Sequence, residues 1–444
     1  MAIVATVAES LMTLLTTEAE SAAKEVGLIR RQRKVTGPLL AQTWVLGWLS
    51  KPDESRSGLV SMAATVGLRI SAQGLAQRAT GVGAAFLLRL LEKATEIVVC
   101  ADPAVRPLLD RFSSVTVLDS SVIRLPDALQ TTWPGCQGAA LKLSVRWDLR
   151  SGRLELSLRP GREHDRSSPA QAKSMEARGL RLADIGYYTL ATLSALASSG
   201  AYFLSRVPTP TVVTGSDGKR HKLDDLLASQ NAQVDMPIDL GLRRPVSCRL
   251  LAAPVPDSVA DERRNRLHDE ARRRQKPVSA TALFLAGWTV MVTNVPANLL
   301  TIEQALALLR VRWQIELLFK LWKSECLVDA WRSGNHWAVL CELYAKLIAV
   351  VINNWLLILT VWECPNPSLP VTTRAIRKFV MLLAHGLASG RRRTLIDALT
   401  TIQRALTPVV RVQTRRSAPS THQRRKRSGS VTGSGCVEDR IGVA

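Results

Sequence analysis

The chain has 444 residues, 59 of them basic and 37 acidic, for a net charge of +22 and a pI near 10.4. That length suggests two to four domains, 46% hydrophobic residues are ample for ordinary cores, and the charge points to a polyanionic partner, most often nucleic acid. The seven Cys and six His show no Cys-x-x-Cys pair and no zinc-finger spacing, which argues against a structural zinc site.

The N-terminus, MAIVATVAESLMTLLTTEAE, carries acids early and has no basic leading segment, so it does not read as a secretory signal. An odd Cys count without such a signal fits a reducing cytosol. Residues 1–105 read as a helical domain with a basic knot, Arg30, Arg31, Arg33 and Lys34, between its first two helices. Gly67–Thr80 resembles a turn followed by a helix capped by Ser71, the shape of a DNA-binding helix-turn-helix. A plain helical packing domain with a solvated basic loop fits the same residues.

From residue 106 the apolar period changes from helical to alternating. SSVTVLDSS predicts a short strand ending at Asp119. LKLSVRWDL (Leu141–Leu149) and LELSLRP (Leu154–Pro160) alternate on either side of Gly152, a β-meander. A further short strand ends at Asp184, a helix runs to about Ser199, Gly200 stops it, and AYFLSRV is again a strand. With one later strand and helix, this is the order of an α/β, RNase H-like core, its first part at 106–207 and its second at 280–365. Residues 208–279 read as a β-rich insertion that ends in a basic run, Arg263 to Lys276, equally suited to a solvated helix face or a DNA-contacting one. Leu283–Val295 predicts the strand that returns the chain to the core.

The stretch Thr301–Glu325 predicts a single helix opened by a Thr301/Gln304 capping box. At about 100° per residue, Leu309, Arg312 and Lys323 fall within about 40° of Glu316. As a pattern this is also an ordinary i,i+4 salt-bridge stripe. Beyond it, Leu340–Trp362 predicts an apolar core helix interrupted by Asn353 and Asn354, too short for a membrane span. Two amphipathic helices follow, Thr372–Ala384 and Arg393–Leu406, within a C-terminal helical region (366–410) available for dimerisation. The basic tail 411–444 has too little apolar content to fold. It carries eight basic and two acidic residues, so most of the net charge belongs to the body.

Three acids converging in a basic protein would form a site for two metal ions, hard oxygen donors suiting Mg²⁺ with Mn²⁺ as substitute. Asp119, Asp184 and Glu316 are those acids, and Arg312 and Lys323 supply cations on the Glu316 face. Trp313 and Trp322 fit a core, and Asp148 a surface.

These residues resemble the DDE transposases of bacterial insertion sequences, specifically the IS-four group. The matching segments are VTVLDSSVIRLPDAL around Asp119, LADIGYYTLATLSALASSGAYFLSRV around Asp184, WTVMVTNVPANLL, and RVRWQIELLFKLWKSE. The last carries Arg312, Glu316 and Lys323 at the spacing of the group's Tyr-Arg-Glu-Lys signature, with Leu309 where the group has Tyr. The resemblance implies an RNase H-like core with a β-rich insertion and binding to the double-stranded terminal inverted repeats and target DNA. It also implies hydrolytic cleavage and strand transfer, a homodimer in a synaptic complex, and a cytoplasmic, nucleoid-associated protein. A transposase-derived repressor that binds without cutting, or a host nuclease of the same fold, are the other expectations.

Overall fold

The computed structural model describes residues 2–29, 34–97, 108–168, 171, 175–209, 211–230, 232–241, 245–312, 314–359 and 368–407. In chain order the N-terminal helices are α1 (Ala2–Met12), α2 (Ala19–Glu25), α3 (Gly37–Ser50), α4 (Arg56–Thr65), α5 (Ala72–Ala76) and α6 (Gly81–Glu96). Strands β1 (Val115–Arg124), β2 (Ala140–Asp148), β3 (Leu154–Pro160) and β4 (Leu180–Ala183) follow, then α7 (Leu190–Ser198) and β5 (Tyr202–Arg206). Next come β6 (Val212–Thr214), β7 (Arg220–Lys222), α8 (Leu223–Ala228), β8 (Val234–Leu240), β9 (Val246–Pro254), α9 (Asp257–Arg274), α10 (Ala280–Leu285) and β10 (Trp288–Thr293). The chain ends in α11 (Ile302–Arg312), α12 (Gln314–Ser324), α13 (His336–Ile358), α14 (Leu369–Arg377), α15 (Val380–Ala388) and α16 (Arg392–Leu406).

These elements form two compact units. One takes Met1–Ala104, Ser120–Glu163 and Ile315–Thr414; the other takes Val105–Asp119 and His164–Gln314. Strand β1 therefore begins in one unit and ends in the other.

The first unit is built around α13, which packs against α3 and α6 and is buried along nearly its whole length. Asn335 caps it, accepting from the Trp337 and Ala338 amides. It is the one described helix long and apolar enough to cross a membrane, and its apolar window is entirely buried, as a core helix requires. Strands β2 and β3 pair antiparallel from Leu141↔Pro160 to Trp147↔Leu154, with β2 between β3 and β1. Their turn needs Gly152 at φ +77, a region that side chains rarely enter, while Asp148 accepts from the Arg150 amide and the Ser151 hydroxyl. Buried Trp133 donates to the Tyr344 hydroxyl at 3.0 Å, and Asn354 donates to the Gly152 carbonyl; both bonds fasten this sheet region to α13.

In the second unit the strand order is β1-β4-β5-β10-β9-β8-β6-β7. The β1–β4 and β4–β5 pairs are parallel; from β5 onward every pair is antiparallel. Phe203, Leu250 and Val292 lie in its main core cluster. Asn294 accepts from the Phe203 amide and donates to the Ala201 carbonyl, clasping the end of β10 to β5.

Two expectations need correction. β1 does not stop at Asp119 but runs to Arg124, because β2 adjoins it on the side opposite β4; only the parallel pairing with β4 ends at Leu118. Leu283–Val295 is not one strand. Ser279 caps α10 by accepting from the Ala282 amide, and the strand begins only at Trp288. The basic run forms α9, in which Ala260 alone is buried.

Candidate metal centre and the signature helix

The β1–β4 ladder ends directly before two acids. Its last pair is Leu118↔Ala183, and these two side chains share a small apolar cluster with Tyr187. Side chains alternate along a strand, so the next residue on each strand turns to the opposite face. Those residues are Asp119 and Asp184. Parallel neighbours lie about 4.8 Å apart, and in-register residues point the same way. Both acids are half-buried. Asp184 keeps an extended backbone (φ −78, ψ 168) and precedes a 3-10 turn, Ile185–Tyr187, which its side chain does not cap. Asp119 lies midway along β1, directly after its parallel pairing with β4, and Asp184 directly after the carboxyl end of β4, the end at which parallel strands place ligands. A second 3-10 turn, Asp165–Ser167, packs against the first. Asp165 thereby comes up against Gly186.

The predicted signature helix is helical on both sides of Trp313, a residue outside those described. The capping box forms as expected: the Gln304 amide donates to Thr301 Oγ1 and the Thr301 amide to Gln304 Oε1 at 3.1 Å. Two arginines that the sequence did not single out hold the entry. Arg111 Nη1 donates to the Leu299 carbonyl at 2.8 Å and to Gln304 Oε1 at 2.9 Å. Arg249 Nη1 donates to the Val295 and Leu300 carbonyls while its guanidinium pairs with Asp235. Each lies far from the helix in sequence, so no local signal marks them. Helix α11 packs against β4, and Leu309 on it is half-buried.

Arg312 ends α11 in the unit that holds both Asp residues; its side chain is outside the described set. Glu316 and Lys323 lie on α12 in the other unit, each half-buried. Lys323 Nζ donates to the Val122 carbonyl of β1 at 3.4 Å. The structure thus places Asp119 and Asp184 each directly after the last β1–β4 pair, and Glu316 with Lys323 on one helix. Among the described residues no group of three or more His, Cys, Asp or Glu could hold a metal. Asp119 and Asp184, both half-buried, carry carboxylate oxygens, hard donors of the kind a Mg²⁺-type cation takes. Trp322 is core, edge-on to Phe319 at 5.5 Å. Burial pushes the thiol of half-buried Cys326 up to about 11, and those of buried Cys248 and Cys341 up to about 12.

Of the basic knot, Lys34 is exposed, while Arg30, Arg31 and Arg33 lie outside the described residues. The basic run on α9 is largely self-neutralised: Arg264 pairs with Asp261 and Arg274 with Glu270, each at 2.7 Å. Arg263 turns inward, donating to the Trp288 carbonyl at 2.9 Å and to Thr289.

An acid directly after each end of the parallel β1–β4 pairing, in a chain of net charge +22, fits a metal-using enzyme of phosphoryl transfer on nucleic acid. Residues 110–352 match the profile of the family described as Transposase DDE domain. The chain belongs to that family and is a DDE transposase of the IS-four type, an insertion-sequence enzyme that uses divalent metal. It is similar to the transposase of insertion sequence element IS231B from Bacillus thuringiensis subsp. berliner, 25% identical over 364 residues, 75% of each chain. It is also similar to the IS1151 transposase of Clostridium perfringens, 23% identical over 274 residues, 56% of this chain and 58% of that one. Among solved structures, a piggyBac transposase synaptic complex with hairpin DNA aligns with TM-score 0.44 and 8% identity, covering 93% of this chain and 86% of the other.

Proposed function

We propose that this transposase binds the terminal inverted repeats of its element, cuts donor DNA by hydrolysis and joins the freed 3′ ends to a target. The observation that supports the reading is the β1–β4 register, whose last pair, Leu118↔Ala183, stands directly before Asp119 and Asp184. Asp119 and Asp184 hold metal, and Glu316 is the third carboxylate of an RNase H-like core into which a β-rich segment, 208–279, is inserted. When bound, two Mg²⁺ (or Mn²⁺) supply activation of the attacking oxygen and charge stabilisation at the leaving one in an in-line displacement. Arg312 and Lys323 neutralise DNA phosphates beside these acids, which would otherwise repel the backbone. The Lys323 contact with Val122 is a long one at 3.4 Å, easily exchanged for a charge-assisted bond to phosphate. The helices of residues 1–105, with Arg30, Arg31, Arg33 and Lys34, contact the transposon end. Residues 366–410 serve dimerisation in a synaptic complex assembled in the bacterial cytoplasm on the nucleoid.

A linear duplex carrying this gene with its native flanking sequence, incubated with Mg²⁺, is the substrate that tests this. Cleavage at the element ends is expected, and Glu316→Gln should abolish it while leaving DNA binding intact. A parent protein that binds the ends but cuts under neither Mg²⁺ nor Mn²⁺ overturns the catalytic reading. It would leave the second reading, a repressor, which Leu309 at the group's Tyr position favours.

A further inference from the structure

The segment that leaves α12 is held by a charge buried in the core. Lys346, 2% exposed on α13, spends its three protons inside the protein. Nζ donates to Glu342 Oε1 at 2.7 Å, to the Ala330 carbonyl at 2.7 Å and to the Leu327 carbonyl at 3.1 Å. Glu342 is 6% exposed. Taking both charges out of water is costly, and a well-packed apolar pair would serve stability as well or better. The ammonium does what an apolar side chain cannot: it fixes two backbone carbonyls just past the helix end. One of them belongs to Leu327, at φ +46, where a helix C-terminus ordinarily uses Gly. Around that residue the chain folds back, the Val328 amide reaching the Trp322 carbonyl at 3.2 Å. A second hold lies one step earlier. Arg374 donates to Glu325 Oε1 at 2.5 Å, and Arg377 donates to the Glu325 carbonyl.

We propose that Lys346, with Glu342, is a positioning residue for transposition: it sets the rotation and axial position of the helix that presents Glu316 and Lys323. The proposal rests on the reading of Glu316 given above. Glu316 and the latch belong to one compact unit, so a rigid helix carries displacement at its end to the carboxylate. A misplacement of about 1 Å at a reacting centre costs about a hundredfold in rate.

The test is the double variant Glu342→Leu/Lys346→Met, which removes both charges together and so leaves neither unpaired. The duplex bearing the gene's native flanks is the probe, with affinity measured in Ca²⁺ and single-turnover cleavage followed across a MgCl₂ titration. Expected are a parent-like melting temperature, DNA affinity within about twofold, cleavage slowed at least about twentyfold, and a half-saturating Mg²⁺ concentration raised severalfold. Should that variant not fold, Glu342→Gln/Lys346→Met keeps the side-chain sizes and is read the same way. Parent-like cleavage and Mg²⁺ dependence overturn the proposal. So does a rate that falls only in step with DNA affinity and melting temperature, which marks a structural pair. Glu316→Gln runs alongside. If it is inactive while the double variant is parent-like, the positioning role alone fails; if it cleaves like the parent, the reading of Glu316 fails and the positioning role with it.

Discussion

The two Asp residues and Glu316 are held by different physics. Asp119 and Asp184 inherit their placement from a backbone ladder that pairs Val115–Leu118 with Leu180–Ala183. Each acid follows directly on the last pair of that ladder. Glu316 rides on a helix, and no hydrogen bond internal to a helix fixes its rotation about its own axis. That freedom is removed by side chains from outside, Lys346, Arg374 and Arg377 at the exit of α12; Arg111 and Arg249 hold the entry of α11 within the other unit. A strand-borne acid tolerates change around it so long as the ladder stands. A helix-borne acid depends on distant, individually replaceable charges.

The largest expected effect breaks the strand-borne side. Asp119→Asn and Asp184→Asn should each slow single-turnover cleavage by at least about a thousandfold, the scale on which removing a charge-stabilising group acts, with DNA affinity unchanged in a gel-shift titration. A loss under tenfold at either position would mean that the register pair is not the metal-holding pair. The next tests the ladder's footing. Leu118→Ala empties part of the cluster with Ala183 and Tyr187. It should cost about 2–4 kcal/mol in chemical denaturation while retaining measurable cleavage in the folded fraction. On the helix side, Tyr344→Phe leaves the buried Trp133 Nε1 without its acceptor and should cost about 1–3 kcal/mol. If Tyr344→Phe hurts cleavage more than Leu118→Ala does, relative to stability lost, the helix side is the more fragile, as the comparison holds.

The same contrast explains what could be read from the chain. Alternation marked β2 and β3 and their buried faces, Gly152 marked the turn between them, and Thr301/Gln304 marked the helix start, because each rests on neighbours in sequence. Asp119 and Asp184 were singled out by predicted strand position and by flanks that resemble the family's. The run of β1 past Asp119 was not, since β2 decides it. The inward turn of Arg263 toward Trp288 was not either, nor was the buried state of Glu342–Lys346, whose i,i+4 spacing is identical on a solvated face. The anchors of the helix side come from residues 16 to almost 200 positions away in sequence, which no periodicity records.

The smallest effect concerns the face of α11. Leu309 is half-buried there, in the position where the IS-four group carries Tyr, and its side chain offers no donor to a phosphate. Leu309→Tyr adds a hydroxyl that can bond a DNA oxygen, worth about 0.5–1.5 kcal/mol for a neutral hydrogen bond and so a gain of about two- to tenfold. The gain should fall on strand transfer from a pre-cleaved end and on retention of that end in a competition assay, with the Mg²⁺ dependence unmoved, because the change lies on end-holding rather than on the acids. A Leu309→Tyr protein that transfers strands no better than the parent shows that this position does not limit the reaction.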